Sequence, residues 1–209
     1  MSVSENISFW KKKSKIDYIP LFVFLWFALN AWMRDHFFKE TTDRQRLDML
    51  KRSGGSLLGA FNRLILAQNA NGERFRAEFG ELHDALIGAC IPYNEDRWPN
   101  KTIDFNSCIV DWNNGQPEFE SILVSKEETS DNPASNNNFT SDEKNKIELN
   151  DELWVENDPE RLFAAYMEMV YQVRNSLFHG DLATNIEDIA NKRVVRQLYL
   201  TLSMVMEDI

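Results

Sequence analysis

Residues 158–180 read DPERLFAAYMEMVYQVRNSLFHG, and this stretch decides the fold of the chain. Asp158 is a favourable N-cap, and the proline that follows suits the first helical position because its missing N–H would have no partner there. Gly180 is a favourable C-cap residue. Between them the apolar side chains recur at helical spacing, as Leu162, Tyr166, Met169, Val173 and Leu177. The stretch therefore predicts one long helix that buries a single apolar face.

Similar spacing predicts helices before and after this one. An aromatic-rich segment ending near Trp32 predicts the first helix, and residues 47–64 predict a second. Thr41-Thr42-Asp43 offers N-cap chemistry to the second helix, and Gly54-Gly55 interrupts it. Residues 75–86 predict a third amphipathic helix, and a last helix is predicted from about Ile186 to near the end. We therefore expect an all-α fold, a four- to five-helix bundle forming a single domain over residues 1–209.

The segment 93–158 lacks the helical period and is predicted to be a variable insertion in this bundle. The runs Cys108-Ile109-Val110 and Ile122-Leu123-Val124 flank the turn signal Asn113-Asn114-Gly115, so a small β-hairpin is expected. Residues 125–146 are rich in Ser, Asn, Asp and Glu and poor in apolar side chains. Such a composition buries too little surface to offset the entropy of ordering, so this part is predicted to be disordered.

The net charge of −10 is confined to one segment. Residues 117–160 hold 13 acidic and 3 basic side chains, whereas the rest of the chain holds 20 of each. The low overall pI is therefore no argument against a nucleic-acid partner for the rest of the chain. The two cysteines, Cys90 and Cys108, match no metal motif and form no disulfide framework, which indicates a reducing, cytoplasmic setting.

One apolar segment resembles a membrane anchor. Lys11-Lys12-Lys13 precedes the stretch Ile19 to Met33, which is 15 residues long and contains Pro20 and Asn30. A membrane span needs about 20 apolar residues, so a helix buried on nearly all sides is the preferred interpretation and no membrane partner is expected. Membrane association remains the alternative for this stretch.

Arg174, Asn175 and His179 are the candidate catalytic residues. They lie close together near the end of the long helix, and Asn175 and His179, four residues apart, share a face. A guanidinium binds phosphate through its planar fork of donors, and an imidazole transfers protons near neutral pH. Asn175 can hold either the imidazole or a ribose by hydrogen bonds. The structural alternative is that His179 favours the negative end of the helix dipole and Arg174 pairs with an acid of the bundle.

Other polar residues carry weaker signals. His36 and His83 lack partners for a metal site, and His83 is predicted to lie on the surface of the third helix. The last helix has a basic edge formed by Lys192, Arg193 and Arg196. We interpret this edge as a solvent-exposed face, and the alternative is that its charges attract RNA. No metal ligand set and no cofactor motif is recognised.

Arg174-Asn175-x-x-x-His179 resembles the Arg-polar-x(n)-His motif of the HEPN superfamily, named for higher eukaryotes and prokaryotes nucleotide-binding. The whole run from Tyr171 to Gly180 resembles that family's motif helix. The segment Leu25 to Trp32 resembles the aromatic first helix of many bacterial members. The resemblance covers residues from about 16 to 90 and 158 to 209, in the same order as in the family.

The resemblance implies a helical bundle that forms a homodimer, with two motifs facing each other in a composite, metal-independent ribonuclease site. Arg174 would stabilise the phosphate, His179 would transfer protons and Asn175 would be the polar helper. The family also implies an RNA substrate, an antitoxin or regulatory protein as a partner, and a role in toxin–antitoxin, abortive-infection or related defence. The alternative function is a non-catalytic HEPN module that binds RNA, nucleotide or a protein partner.

Overall fold

The structure, a computed structural model, describes residues 4, 16–93, 98, 101–113, 115–125, 146–180, 182, 189–207 and 209. The described residues form six α-helices and five β-strands. The helices are α1 (Tyr18–His36), α2 (Asp43–Ser53), α3 (Gly55–Leu66), α4 (Ala70–Ala89), α5 (Pro159–His179) and α6 (Ile189–Met206). The strands are β1 (Cys108–Asn113), β2 (Gln116–Glu120), β3 (Leu123–Ser125), β4 (Lys146–Asn150) and β5 (Leu153–Glu156). The predicted all-α fold is therefore wrong, because two small antiparallel sheets accompany the helices.

The centre of the helical core is a cluster of aromatic rings. The ring centroid of Phe61 on α3 lies 5.6 Å from that of Phe163 and 5.8 Å from that of Tyr166, both on α5. Phe79 of α4 approaches Tyr166 to 5.5 Å. The Tyr166 hydroxyl is hydrogen-bonded to the Thr201 hydroxyl of α6 at 2.8 Å. Helix α5 thus crosses the middle of the bundle, and the core fixes the direction in which its last turns point.

The helix ends follow the predicted cap chemistry. Thr42 caps α2 in a capping box with Gln45, and the Asp158 side chain accepts a backbone N–H from the first turn of α5. Gly180 ends α5 at a φ of 88°. The break between α2 and α3 lies at Gly54, where φ is 64°. A Cβ there would lie 2.4 Å from Cδ2 of Leu58, so only glycine fits.

The first sheet is a hairpin whose strands differ from the predicted pair. Strand β1 pairs antiparallel with β2, from Cys108 opposite Glu120 to Asn113 opposite Gln116, and Gly115 in the turn has a φ of 78°. The predicted partner run, residues 122–124, instead reaches the second sheet, where Leu123 lies opposite Val155. The turn was located correctly, but the strand following it was missed because QPEFE carries little β propensity.

The second sheet has the strand order β3-β5-β4 and is antiparallel throughout. Its buried side chains alternate with more exposed ones, as in Ile147 and Leu149 of β4 and Leu153 and Val155 of β5. This alternation turns one face of the sheet to the bundle.

Both sheets belong to the same hydrophobic core as the helices. The Phe105 ring lies 5.0 Å from that of Phe79 on α4, and Cys108, Ile109 and Ile122 are fully or almost fully buried. Arg161 of α5 contacts Glu120 of β2 and Glu156 of β5. The all-α expectation failed because it treated this segment as an appendage, whereas its apolar side chains complete the core.

Two further predictions concern residues 125–146 and the apolar stretch from Ile19 to Met33. The predicted disorder of residues 125–146 falls mostly on residues 126–145, which lie outside the described residues, while its two ends lie in β3 and β4. The apolar stretch from Ile19 to Met33 forms most of α1. No helix among the described residues has the length and hydropathy that a membrane crossing requires.

Candidate functional site

The three candidate residues lie in the last two turns of α5. Val173, just before them, is fully buried, whereas Arg174 and Asn175 are half-buried and His179, the last residue of the helix, is exposed. Because α5 is fixed by the aromatic core, this end of the helix presents the three side chains at the surface beside α1 and α2.

The guanidinium of Arg174 lies between two aromatic rings. Its Cζ is 5.1 Å from the ring centroid of Trp26 on α1 and 4.6 Å from that of Phe178, one turn further along α5. Trp26 is fully buried, and 22% of the Arg174 side chain is exposed. Cation–π contacts of this kind hold a guanidinium in place, and an ammonium group, which is not planar, cannot reproduce them in the same form.

Polar contacts fix the guanidinium further. Nη1 of Arg174 donates a hydrogen bond of 2.8 Å to Oδ1 of Asn175, and Nη2 lies 3.7 Å from Oδ2 of Asp43, the first residue of α2. The latter is an ion pair too long for a hydrogen bond. Nε of Arg174 is buried and has no hydrogen-bond partner among the described residues. The arginine is therefore oriented by its surroundings while part of its donor capacity is unused.

The wall that α1 presents to Arg174 also contains polar atoms. Asn30 lies one turn after Trp26 and donates from Nδ2 to Oδ2 of Asp43 at 3.3 Å. Its own Oδ1 and the Trp26 Nε1 are buried without a hydrogen-bond partner in the part of the chain that the structure describes. Among the described residues, the junction of α1, α2 and α5 thus gathers two such atoms beside the Arg174 guanidinium, whose own Nε is the third.

His179 is not joined to the other two candidates. It is exposed, and no hydrogen bond or ion pair to its ring occurs among the described residues. The structure therefore brings Arg174 and Asn175 together and leaves the imidazole open to solvent. Asn175 accepts a hydrogen bond from the arginine and makes none to the histidine among the described residues, while its predicted contact with a ribose stays a prediction.

A second polar cluster lies on α5 about two turns before Arg174, and the sequence analysis missed it. The fully buried Glu168 carboxylate lies 2.6 Å from Nη1 of Arg44 and 3.0 Å from Nζ of Lys51, and it accepts a hydrogen bond of 2.8 Å from Gln172. Burial raises the pKa of Glu168, but the charges of Lys51 and Arg44 outweigh that effect, so its pKa lies below the ordinary value. Glu168 is therefore a carboxylate at neutral pH.

The surface next to Arg174 is apolar. Phe24 and Phe27 on α1 are 65% and 51% exposed, and Phe178 on α5 is 47% exposed. The rings of Phe27 and Phe178 lie 6.4 Å apart. Together with the exposed Pro20, Ala28 and Ala31, the two α1 phenylalanines form a helical stripe that is exposed in the part of the chain that the structure describes, and we call it the α1 face.

The structure also locates the histidines and the basic residues of α6 that gave weaker signals in the sequence. His83, expected at the surface, is only 8% exposed, because Phe105 of the inserted segment packs on its ring at 5.1 Å. His36 is exposed and stacks on Trp32 at 3.9 Å. On the basic edge of α6, Arg193 pairs with Glu81 and Arg196 hydrogen-bonds to Gln197, so these guanidinium groups are engaged within the protein.

Comparison of the chain with protein-family models, curated proteins and solved structures yields no match. A function for this protein must therefore be inferred from its own residues. The HEPN resemblance stays a prediction from the motif and its surroundings.

Proposed function

We propose that this protein is a metal-independent endoribonuclease of HEPN type, acting in the cytoplasm in a toxin–antitoxin, abortive-infection or related defence system. The observation that carries the proposal is the environment of Arg174. The Arg174 guanidinium contacts the Trp26 and Phe178 rings, 22% of the side chain is exposed, and a solvent-exposed histidine follows five residues later. Such a guanidinium is suited to bind a phosphate at the surface.

The chemistry follows from the RNA substrate itself. A base removes the proton of the ribose 2′-hydroxyl, the 2′-oxygen attacks phosphorus, and the 5′-oxygen leaves with a proton from an acid. His179 is the residue assigned to proton transfer, and Arg174 meets the negative charge that develops on the phosphoryl oxygens. The products are a 2′,3′-cyclic phosphate and a 5′-hydroxyl. The attacking hydroxyl belongs to the substrate, so this route needs no metal-bound nucleophile.

A homodimer is part of the proposal. One protomer offers a single histidine in the motif, and two proton transfers are required. The α1 face lies directly beside Arg174, since Phe27 contacts Phe178, which in turn stacks on the guanidinium. A second copy packed on this face in a two-fold arrangement covers the exposed phenylalanines and brings the two α5 ends near each other.

The second candidate function is a non-catalytic HEPN module that binds RNA, nucleotide or a protein partner, such as an antitoxin. The separation of His179 from Arg174 and Asn175 favours it, because a binding site needs no aligned proton-transfer group. Arg174 alone would then act as the anion-binding residue.

Cleavage of single-stranded RNA in the presence of EDTA separates the two functions. We expect wild-type protein to release cyclic-phosphate ends, and His179→Ala to cleave about a hundredfold more slowly or worse. His36→Ala is the matched control, since it also removes an exposed histidine, and it should cleave like wild type. Induced expression of wild type, but not of His179→Ala, should arrest growth. RNA binding without cleavage by wild type would favour the binding module.

A further inference from the structure

The polar junction of α1, α2 and α5 shows how Arg174 is held. Asp43 is the first residue of α2, and its carboxylate is shared by three groups. Oδ2 accepts from Asn30 Nδ2 at 3.3 Å and lies 3.7 Å from Arg174 Nη2, while Oδ1 lies 3.3 Å from Nη1 of Arg46. The carboxylate is therefore fixed from two sides before it meets Arg174.

The distance to Arg174 gives this carboxylate a dual effect. At 3.7 Å the charges attract, yet no N–H of Arg174 is committed to Asp43 by a hydrogen bond. The guanidinium is thereby held in one place, and Nη2, which makes no hydrogen bond to Asp43, can still donate to a phosphate. The same negative charge repels an incoming phosphate, so it also lowers the affinity of the site for RNA.

We infer that Asp43, held by Asn30, is a positioning residue that aligns the Arg174 guanidinium for the transition state and weakens ground-state binding of the RNA phosphate. This inference rests on the proposed function. It extends the site beyond α5 to residues of α1 and α2. Near the guanidinium, Trp26 Nε1 and Asn30 Oδ1 are buried without a hydrogen-bond partner among the described residues.

A purely structural role for Asp43 predicts a different effect of its replacement. An acidic residue in the first turn stabilises α2 through the helix dipole, and its loss would lower stability without a specific effect on RNA. The inference instead predicts that both kcat and KM fall when the charge of Asp43 is removed. Removal of the charge strengthens RNA binding, whereas loss of alignment slows the chemical step.

The decisive variant is Asp43→Asn, with Asp48→Asn as its control. Asp48 lies on the same helix, its side chain has the same 30% exposure, and it pairs with Arg44 instead of Arg174. In otherwise wild-type protein we expect Asp43→Asn to lower KM several-fold and kcat about tenfold. The Kd for RNA, measured in the inactive His179→Ala background, should also fall several-fold. Asp48→Asn should change neither by more than about twofold.

A third variant separates position from charge. Asn30→Ala removes one of the groups that hold Asp43 but keeps its carboxylate, so kcat should fall while the Kd for RNA stays unchanged. Thermal melts of all variants check that the fold persists.

Equal kcat and Kd in Asp43→Asn and wild type would overturn this inference and leave the proposed function standing. A parallel loss of kcat and affinity in Asp43→Asn would also overturn it, in favour of a structural role. Wild-type protein that cleaves no RNA would instead overturn the proposed function, and the inference with it.

Discussion

Nζ of Lys51 lies 3.0 Å from the carboxylate of Glu168, and both side chains are shielded from solvent, with 4% and 0% exposed. Lys51 also donates to the Ile109 carbonyl of β1 at 3.3 Å, so this pair joins α2, α5 and the first sheet. Because the pair lies on the helix that carries Arg174, it bears on the stability of the whole site.

Glu168→Gln should destabilise the protein strongly. The change leaves the shielded cation of Lys51 and the partly buried cation of Arg44 without their shared counter-charge. The loss of one partner of a buried pair typically costs about 3 kcal/mol or more. Urea unfolding followed by tryptophan fluorescence measures the free energy of unfolding. Glu81→Gln, which breaks the exposed pair with Arg193, should cost less than about 1 kcal/mol. Equal small losses in both variants would contradict the structural role given to Glu168.

His83 should make the fold less stable at mildly acidic pH. Burial lowers the pKa of His83 from 6.5, although Asp84 and Asp104 oppose that shift, and its Nδ1 has no hydrogen-bond partner among the described residues. The unfolded chain therefore takes up this proton first, so stability is fully present above about pH 6.5 and declines as the pH falls below it. Thermal melts between pH 8 and pH 5 should show a smaller decline in Tm for His83→Leu than for wild type. His36→Leu, at an exposed position, should follow wild type; an unchanged slope in His83→Leu would refute this assignment.

Arg174→Lys should fail to replace arginine. An ammonium group lacks the planar fork that stacks between Trp26 and Phe178 and donates to Asn175, so charge alone is insufficient. We expect RNA cleavage to fall about tenfold or more in Arg174→Lys and about a hundredfold in Arg174→Ala. Arg34→Lys on the exposed side of α1 is the control and should retain full activity. Full activity of Arg174→Lys would show that only a positive charge is needed.

The α1 face should govern the oligomeric state. Phe27→Asp places a charge in the stripe that a second copy is proposed to cover, and the loss of such an aromatic contact typically costs about 2 kcal/mol or more, roughly thirtyfold in Kd. Light scattering at micromolar concentration should show a dimer for wild type and a monomer for Phe27→Asp. Phe38→Asp alters an even more exposed phenylalanine just beyond α1 and should leave the dimer intact. A wild-type monomer would count against the composite site.

Local chemistry made part of this structure predictable. The caps at Thr42, Asp158 and Gly180 depend on residues adjacent in sequence, so their patterns could be recognised directly. The positions of Arg174, Asn175 and His179 near the end of one helix followed from the same periodicity.

Sequence patterns could not predict the contacts between segments that are far apart along the chain. Asp43 was read only as part of a helix cap, and nothing in its neighbourhood indicates that it faces Arg174. His83 was predicted at the surface because histidine and the neighbouring Asp84 are polar, whereas the packing of Phe105 on its ring explains its burial. Likewise the all-α prediction overlooked that strand residues such as Ile109 and Val155 fill the core, since short apolar runs do not reveal what they pack against.

Helices α2 and α5 are joined at two separate places, at Asp43 with Arg174 and at Lys51 with Glu168. The paired residues are eight positions apart on one helix and six on the other, about 12 Å and 9 Å along the axes. A shift of one helix along the other would break both pairs at once, so the two helices have a single permitted register. In recombination between this chain and others of the same architecture, residues 43–51 and 168–174 should therefore be inherited from the same parent.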